Sequence, residues 1–158
     1  YDALSYCWGD PIKRRRIVID GTLVSVTQNL YSALARVRDE VATPVCLWAD
    51  AVCINQGDAS EKAHQIPLMR EIYTDAEQVW IWLGESTPGD EDEGGWEFAN
   101  FLEKTSHTDR TPPEQKYVWA FPSVDVPPPT DERWASFFAI FSRPWFSRLW
   151  IVQEVVLA

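Results

Sequence analysis

In the closing run RPWFSRLWIVQEVVLA (residues 143–158) one carboxylate, Glu154, stands among apolar and aromatic side chains. An unpaired carboxylate taken out of water costs several kcal/mol, so the chain must gain something from it. One use is structural: an internal ion pair with Arg143 or Arg148, or a cap on a backbone turn. The other is chemical: a carboxylate held by a rigid apolar helix acts through a low dielectric and stabilises positive charge developing nearby. Further candidates lie at the start of the chain and in its middle. Tyr6 and Trp8 end an aromatic stretch, YDALSYCWGD, and offer a stacking surface for a planar ligand. With 9 Trp in 158 residues, however, most of them must pack in the core or an insert. Asp10 is either a hydroxyl-binding carboxylate or the ordinary turn residue before Pro11. Asp50 falls inside the apolar run PVCLWADAVCIN and needs donors, which Asn55 or a backbone amide can supply. INQGD, containing Asn55, reads as a polar ligand loop or as a helix-capping turn.

Several chemistries are excluded. There is no P-loop and no GxGxxG, which removes the NTPase and dehydrogenase readings. Two His, with no HExxH or CxxC pattern, argue against a metal site, His64, Glu61 and Asp58 notwithstanding. His64 with Cys7 or Cys53 has no spacing typical of a thiol nucleophile and its base. The three cysteines suit reduced thiols in the cytoplasm. A formal charge of −10, from 24 acids and 14 bases, makes a general nucleic-acid binder a poor fit. The basic run KRRR (Lys13–Arg16) reads first as an exposed hairpin edge. No apolar run approaches a bilayer span. Because the chain opens on Tyr1, we expect a fragment of a longer protein.

These residues need elements to hold them. YDALSY alternates like a short strand, and RRIVIDGTLVSV reads as two strands around Asp20-Gly21, a strong hairpin signal. Thr27 suits the N-cap of a helix over QNLYSALARVRDEV, with Leu30, Ala33, Leu34 and Val37 on one face. PVCLWADAVCIN reads as a strand covered on both sides. The next helix carries Met69, Ile72, Tyr73 and Ala76 inward and is expected to start near Gln65 or kink there, because of Pro67. VWIWLGE is another strand, GWEFANFLEKT a helix, and residues 105–130 an exposed insertion. Asp131 suits the cap of ERWASFFAIFS, and Pro144 the start of the closing helix. Strands alternating with helices predict an α/β parallel sheet flanked by helices, with ligands beyond the carboxyl ends of the strands.

Three blocks, YDALSYCWGD, LWADAVCINQGDASEKAHQIPLMREIYTDAEQVWIWLGE and RPWFSRLWIVQEVVLA, resemble the fungal heterokaryon-incompatibility (HET) domain. The resemblance spans residues 1–158 as one domain, with 87–142 as a variable insert. It implies a cytoplasmic role in non-self recognition and programmed cell death, with self-association and protein partners. A remoter resemblance is to Toll/interleukin-1 receptor (TIR) domains: an aromatic-Asp opening strand ending in Ser-Tyr, and LWIVQEV with Trp150 and Glu154 four apart. It implies a TIR/flavodoxin-like sheet with an inserted N-terminal β-hairpin and a helical C-terminal insert. Some TIR domains cleave NAD at the nicotinamide–ribose bond through an oxocarbenium-like ribose. By that resemblance Glu154 is the catalytic carboxylate, with Trp150 beside it in the substrate site; Trp8 or Tyr6 would then be the stacking surface, and Asp10, Asp50 or Asn55 the ribose contacts. NAD is then a substrate, with no cofactor or metal. Two readings stay open: a TIR-like NAD glycohydrolase, and a non-catalytic death-signalling module.

Overall fold

The alternation of YDALSY between large and small side chains organises the sheet. In a computed structural model describing residues 1–86, 89–106 and 127–156, the elements in chain order are β1 (Asp2–Tyr6), β2 (Arg14–Ile19), β3 (Thr22–Thr27), α1 (Gln28–Glu40), β4 (Leu47–Trp48), α2 (Asp50–Cys53), α3 (Ala59–Thr74), β5 (Gln78–Trp82), α4 (Gly95–Ser106) and α5 (Arg133–Ile140). A 3₁₀ turn (Pro144–Ser147) and a wide, π-type turn (Val152–Val156) follow. The chain divides into two compact units, one of Tyr1–Glu85 with Arg143–Ala158, the other of Ser86–Ser142.

In the first unit β1 is the middle of a three-stranded parallel sheet ordered β4-β1-β5. It pairs with β5 from Asp2↔Gln78 to Tyr6↔Trp82, and with β4 only at Asp2↔Leu47 and Ala3↔Trp48. Successive side chains of a strand point to opposite faces. Leu4 and Tyr6 therefore pack with Leu30, Ala33 and Val37 of α1 and with Val26 of the hairpin. Ala3 packs on the other face with Met69 and Tyr73 of α3. Ser5 belongs to that second face and is fully buried there. The result is the expected α/β arrangement, a parallel sheet with helices on both sides. The hairpin turns at Asp20-Gly21 (φ 49° and 77°), and Thr27 Oγ1 caps α1 by accepting from Leu30 N at 3.3 Å.

Three local expectations differ. PVCLWADAVCIN makes a two-residue strand and then a helical turn, because the Asp50 carboxylate accepts from Ala51 N (2.7 Å) and Cys53 N bonds Ala49 O (2.8 Å). Asp50 thus opens a helix rather than sitting inside a strand. α3 starts at Ala59, well before Gln65, since Asp58 accepts from the amides of Ser60 and Glu61. That cap offsets the single backbone bond lost at Pro67. The closing segment is not one helix: Arg148 is extended (φ −77°, ψ 136°) between the 3₁₀ and π-type turns.

In the second unit α4 and α5 meet through aromatic rings, with Phe98 edge-on to Trp134 at 4.9 Å between centroids. Asp131 accepts from Arg133 N just before α5, and hydrogen bonds from Arg133 hold its carboxyl down at about 2. Within the insertion anticipated at 105–130, residues 107–126 lie outside the described residues. Among the described residues no helix is long and apolar enough to cross a membrane.

The turn after β1 tests this layout. Gly9 has φ 74°, and a Cβ there would sit 2.9 Å from Asn29 Cβ at the start of α1. Gly9→Ala combines left-handed strain with a backbone-proximal clash, so we expect about 2 kcal/mol of destabilisation, read as a lower thermal midpoint.

Candidate functional site

Glu154 is 0% exposed, and both of its oxygens are engaged. Arg148 forks onto it, with Nη1 donating to Oε2 at 2.7 Å and Nη2 donating to Oε1 at 2.8 Å. The Ser5 hydroxyl also donates to Oε2, and in turn accepts from Trp145 Nε1 at 2.8 Å. A planar guanidinium matched to a carboxylate is the strongest common form of such a pair. Burial alone works to lower the Arg148 pKa, but the Glu154 hydrogen bonds and charge outweigh it and hold it above the usual value. Of the two arginines named from sequence, Arg148 is the partner. Arg143 instead donates to Glu85 O at 2.8 Å.

The remaining candidates separate into distinct places. Trp8 and Asp50 meet directly, Trp8 Nε1 donating to Asp50 Oδ2 at 2.8 Å. Tyr6 lies beside them but is 2% exposed, within the core. Its hydroxyl lacks a hydrogen-bond partner of ordinary geometry, and burial, then the nearby Asp50 charge, push its pKa up. A buried Tyr6 offers no stacking surface, whereas Trp8 is 44% exposed. Asn55 builds the turn before α3: its Oδ1 accepts from Gly57 N at 3.0 Å. The helix cap within INQGD is Asp58, which accepts from the amides of Ser60 and Glu61. Trp150 is exposed and Glu154 is enclosed, although Glu154 N donates to Trp150 O at 3.1 Å, the bond of one α-helical turn.

A cleft of about 350 Å³ opens at the carboxyl ends of β1 and β5, within the size range of small-ligand sites. Its charged lining is Asp10, Lys13, Glu85 and Arg143. Of the residues singled out as site candidates from sequence, it holds Asp10, which also accepts from Ile12 N as a turn residue. Asn29, at the start of α1, shapes the wall with both ends of its amide. Nδ2 donates to Cys7 O at 2.6 Å and Oδ1 accepts from Trp82 Nε1 at 2.9 Å, tying the ends of β1 and β5 together. Asn29 and Ser5 were not legible as site residues. The only available signal was a small polar residue in a buried strand and an amide in a first helical turn. Cys7 joins the two regions: it lines the cleft and feels the charges of Arg148 and Glu154. Among the described residues no group of His, Cys, Asp and Glu is placed to hold a metal ion.

The family model for the heterokaryon incompatibility protein (HET) matches residues 1–154. The chain belongs to the HET family. It is similar to heterokaryon incompatibility protein 6, OR allele, of Neurospora crassa, with 29% identity over 187 aligned residues. That alignment covers 99% of this chain and 27% of the relative, so this HET chain spans about a quarter of the relative's length. No solved structure matches the chain.

Two measurements test the site. Glu154→Gln leaves Arg148 largely buried without its countercharge, and we expect a loss of about 3 kcal/mol in denaturant unfolding. The double apolar replacement Glu154→Leu with Arg148→Met should cost clearly less than the summed single changes, because it strands no charge. Separately, burial raises the Cys7 thiol, with Arg148 opposing and Glu154 adding to the rise. A raised pKa means less thiolate near pH 8. Iodoacetamide should therefore alkylate the exposed Cys46 and Cys53 before Cys7, as followed by peptide mass spectrometry.

Proposed function

We propose that this HET domain acts in heterokaryon incompatibility as a cytoplasmic death-signalling module, working through self-association and recruitment of protein partners. Family membership supports the biological role. The observation that carries the non-catalytic reading is the state of Glu154: 0% exposed, forked by Arg148 and bonded by Ser5. A catalytic carboxylate must touch the reacting atoms. Glu154 instead spends its charge inside the fold, fixing the closing segment against β1.

A second reading is TIR-like hydrolysis of NAD at the nicotinamide–ribose bond, with Glu154 as the carboxylate. One observation favours it: Cys7 lines the cleft and feels the charges of Arg148 and Glu154, and Ser5, two residues earlier on the same strand, bonds Glu154. In that reading Arg148 must release Glu154 before substrate can reach it. Asp10 would then be the candidate ribose contact already in the cleft.

The purified chain, at high concentration with NAD, separates the two. The module reading expects no nicotinamide release above the buffer rate, by chromatography, for the parent and for Glu154→Gln alike. Release by the parent that Glu154→Gln abolishes, while far-ultraviolet circular dichroism shows the variant still folded, would establish the hydrolase reading.

A further inference from the structure

The basic run and the acidic run of this chain both put charged side chains into solvent, and these carry matching chemistry. Lys13, Arg14, Arg15 and Arg16 hold 4 of the chain's 14 bases in one strand and its approach. All four are exposed. Arg14 is tied across the hairpin to Ser25. Among the described residues the side chains of Lys13, Arg15 and Arg16 have no hydrogen bond or ion pair. The same ribbon presents an apolar pair: Val18 and Leu23 are directly opposite in the register and 66% and 62% exposed. Buried partners explain the other face of the hairpin, where Ile17, Val24 and Val26 pack on the core. On the opposite face Arg16, Val18 and Leu23 stand in line with the Arg14–Ser25 bond, whereas Arg15 alternates to the core-packed side and is exposed there.

The acidic run has the complementary composition. Glu91, Glu93 and Glu97 are exposed, and Trp96 between them is 46% exposed. Glu93 is partly used, accepting from Gly89 N at 2.7 Å, whereas among the described residues the Glu91 and Glu97 side chains have no hydrogen bond or ion pair. Carboxylates answer the arginines, and an indole face accepts either a guanidinium or the Val18–Leu23 pair. A chain with net charge −10 repels nucleic acid and anionic lipid as a whole, so an acidic protein segment is the occupant that matches.

We propose that the β2–β3 ribbon of one copy docks on the acidic segment 89–97 of a second copy. The contact is either made twice about a two-fold axis, as an isologous dimer, or made once per subunit, as a heterologous contact that closes into a ring or propagates along a chain of subunits. The proposal rests on the self-associating reading above and names its surfaces.

Sedimentation velocity on the chain at about 50 mM and 500 mM salt is the measurement, since exposed charge pairs are screened over this range. The parent should associate at low salt and weaken by at least about tenfold at high salt. Arg14→Glu with Arg16→Glu, and separately Glu91→Lys with Glu97→Lys, should each be monomeric while keeping the parent's circular dichroism spectrum. Mixed together at equal concentration, the two variants should recover association, because every ribbon then meets an opposite charge. A parent that associates while either variant still does so alone overturns the ribbon contact and leaves self-association standing. Variants that lose association but fail to recover it when mixed overturn the pairing of these two surfaces. A parent that stays monomeric at both salts overturns both this proposal and the self-associating reading. A concentration-independent profile with the ribbon binding anionic vesicles would assign the ribbon to lipid instead.

Discussion

The first unit is organised by the burial of one carboxylate. Glu154 can be enclosed only if its charge is met, and the structure meets it from two directions. Arg148, six residues earlier, supplies a fork, and Ser5, 149 residues earlier, supplies a hydroxyl from the central strand. The second of these fixes much else. Ser5 reaches Glu154 only because β1 alternates, sending Leu4 and Tyr6 toward α1 and Ala3 and Ser5 toward α3. The small Ala3 and Ser5 side chains leave room on that face, which Tyr73, Met69 and the closing turn fill. Tyr73 bonds Leu4 O at 3.1 Å and lies near enough to Glu154 that burial first and the carboxylate second both raise its pKa.

The elements legible from sequence were those whose signals are local. The Asp20-Gly21 hairpin, the Thr27 cap and the VWIWLGE strand depend on neighbours within a few residues, and the structure has them. PVCLWADAVCIN was ambiguous for a physical reason: a continuous apolar run fits a covered strand and a buried helical turn equally well. Asp50, a helix-start residue, decides it. At α3 two local signals competed, and the Asp58 cap prevailed over Pro67 because it satisfies two amides where the proline forfeits one bond. The site was half legible. A lone Glu in an apolar run with Arg143 and Arg148 nearby defines an ion-pair question, and geometry chose Arg148. Ser5 and Asn29 act across long separations in sequence, and no periodicity marks them.

Continuity between the pair and the cleft also follows from β1. Ser5 touches Glu154, Tyr6 lies beside Asp50, and Cys7 lines the cleft, so consecutive residues face different environments. The carboxyl end of β1 thus carries, within three residues, a bond to the enclosed carboxylate and a wall of the cleft. Asn29 holds that end by bonding Cys7 O and Trp82 together, and Gly9 lets the chain turn past it. A shift of β1 by one residue would exchange Leu4 and Tyr6 with Ala3 and Ser5. It would strip Glu154 of its hydroxyl and the α1 face of its two large side chains at once.

Why the closing segment carries a charge at all follows from this coupling. A wholly apolar replacement would bury as much surface without the desolvation cost of two ions, and buried pairs are weak evidence for stability. An apolar segment would, however, have several comparable ways to lie on α3, because apolar burial is non-directional. The Arg148 fork and the Ser5 hydroxyl accept one placement of residue 154 and leave a stranded charge in every other. The gain is therefore in register rather than in net energy. It explains why the segment interrupts its helical course: Arg148 must be extended and the turn at Val152 must be wide for the fork and the carboxylate to face each other across six residues.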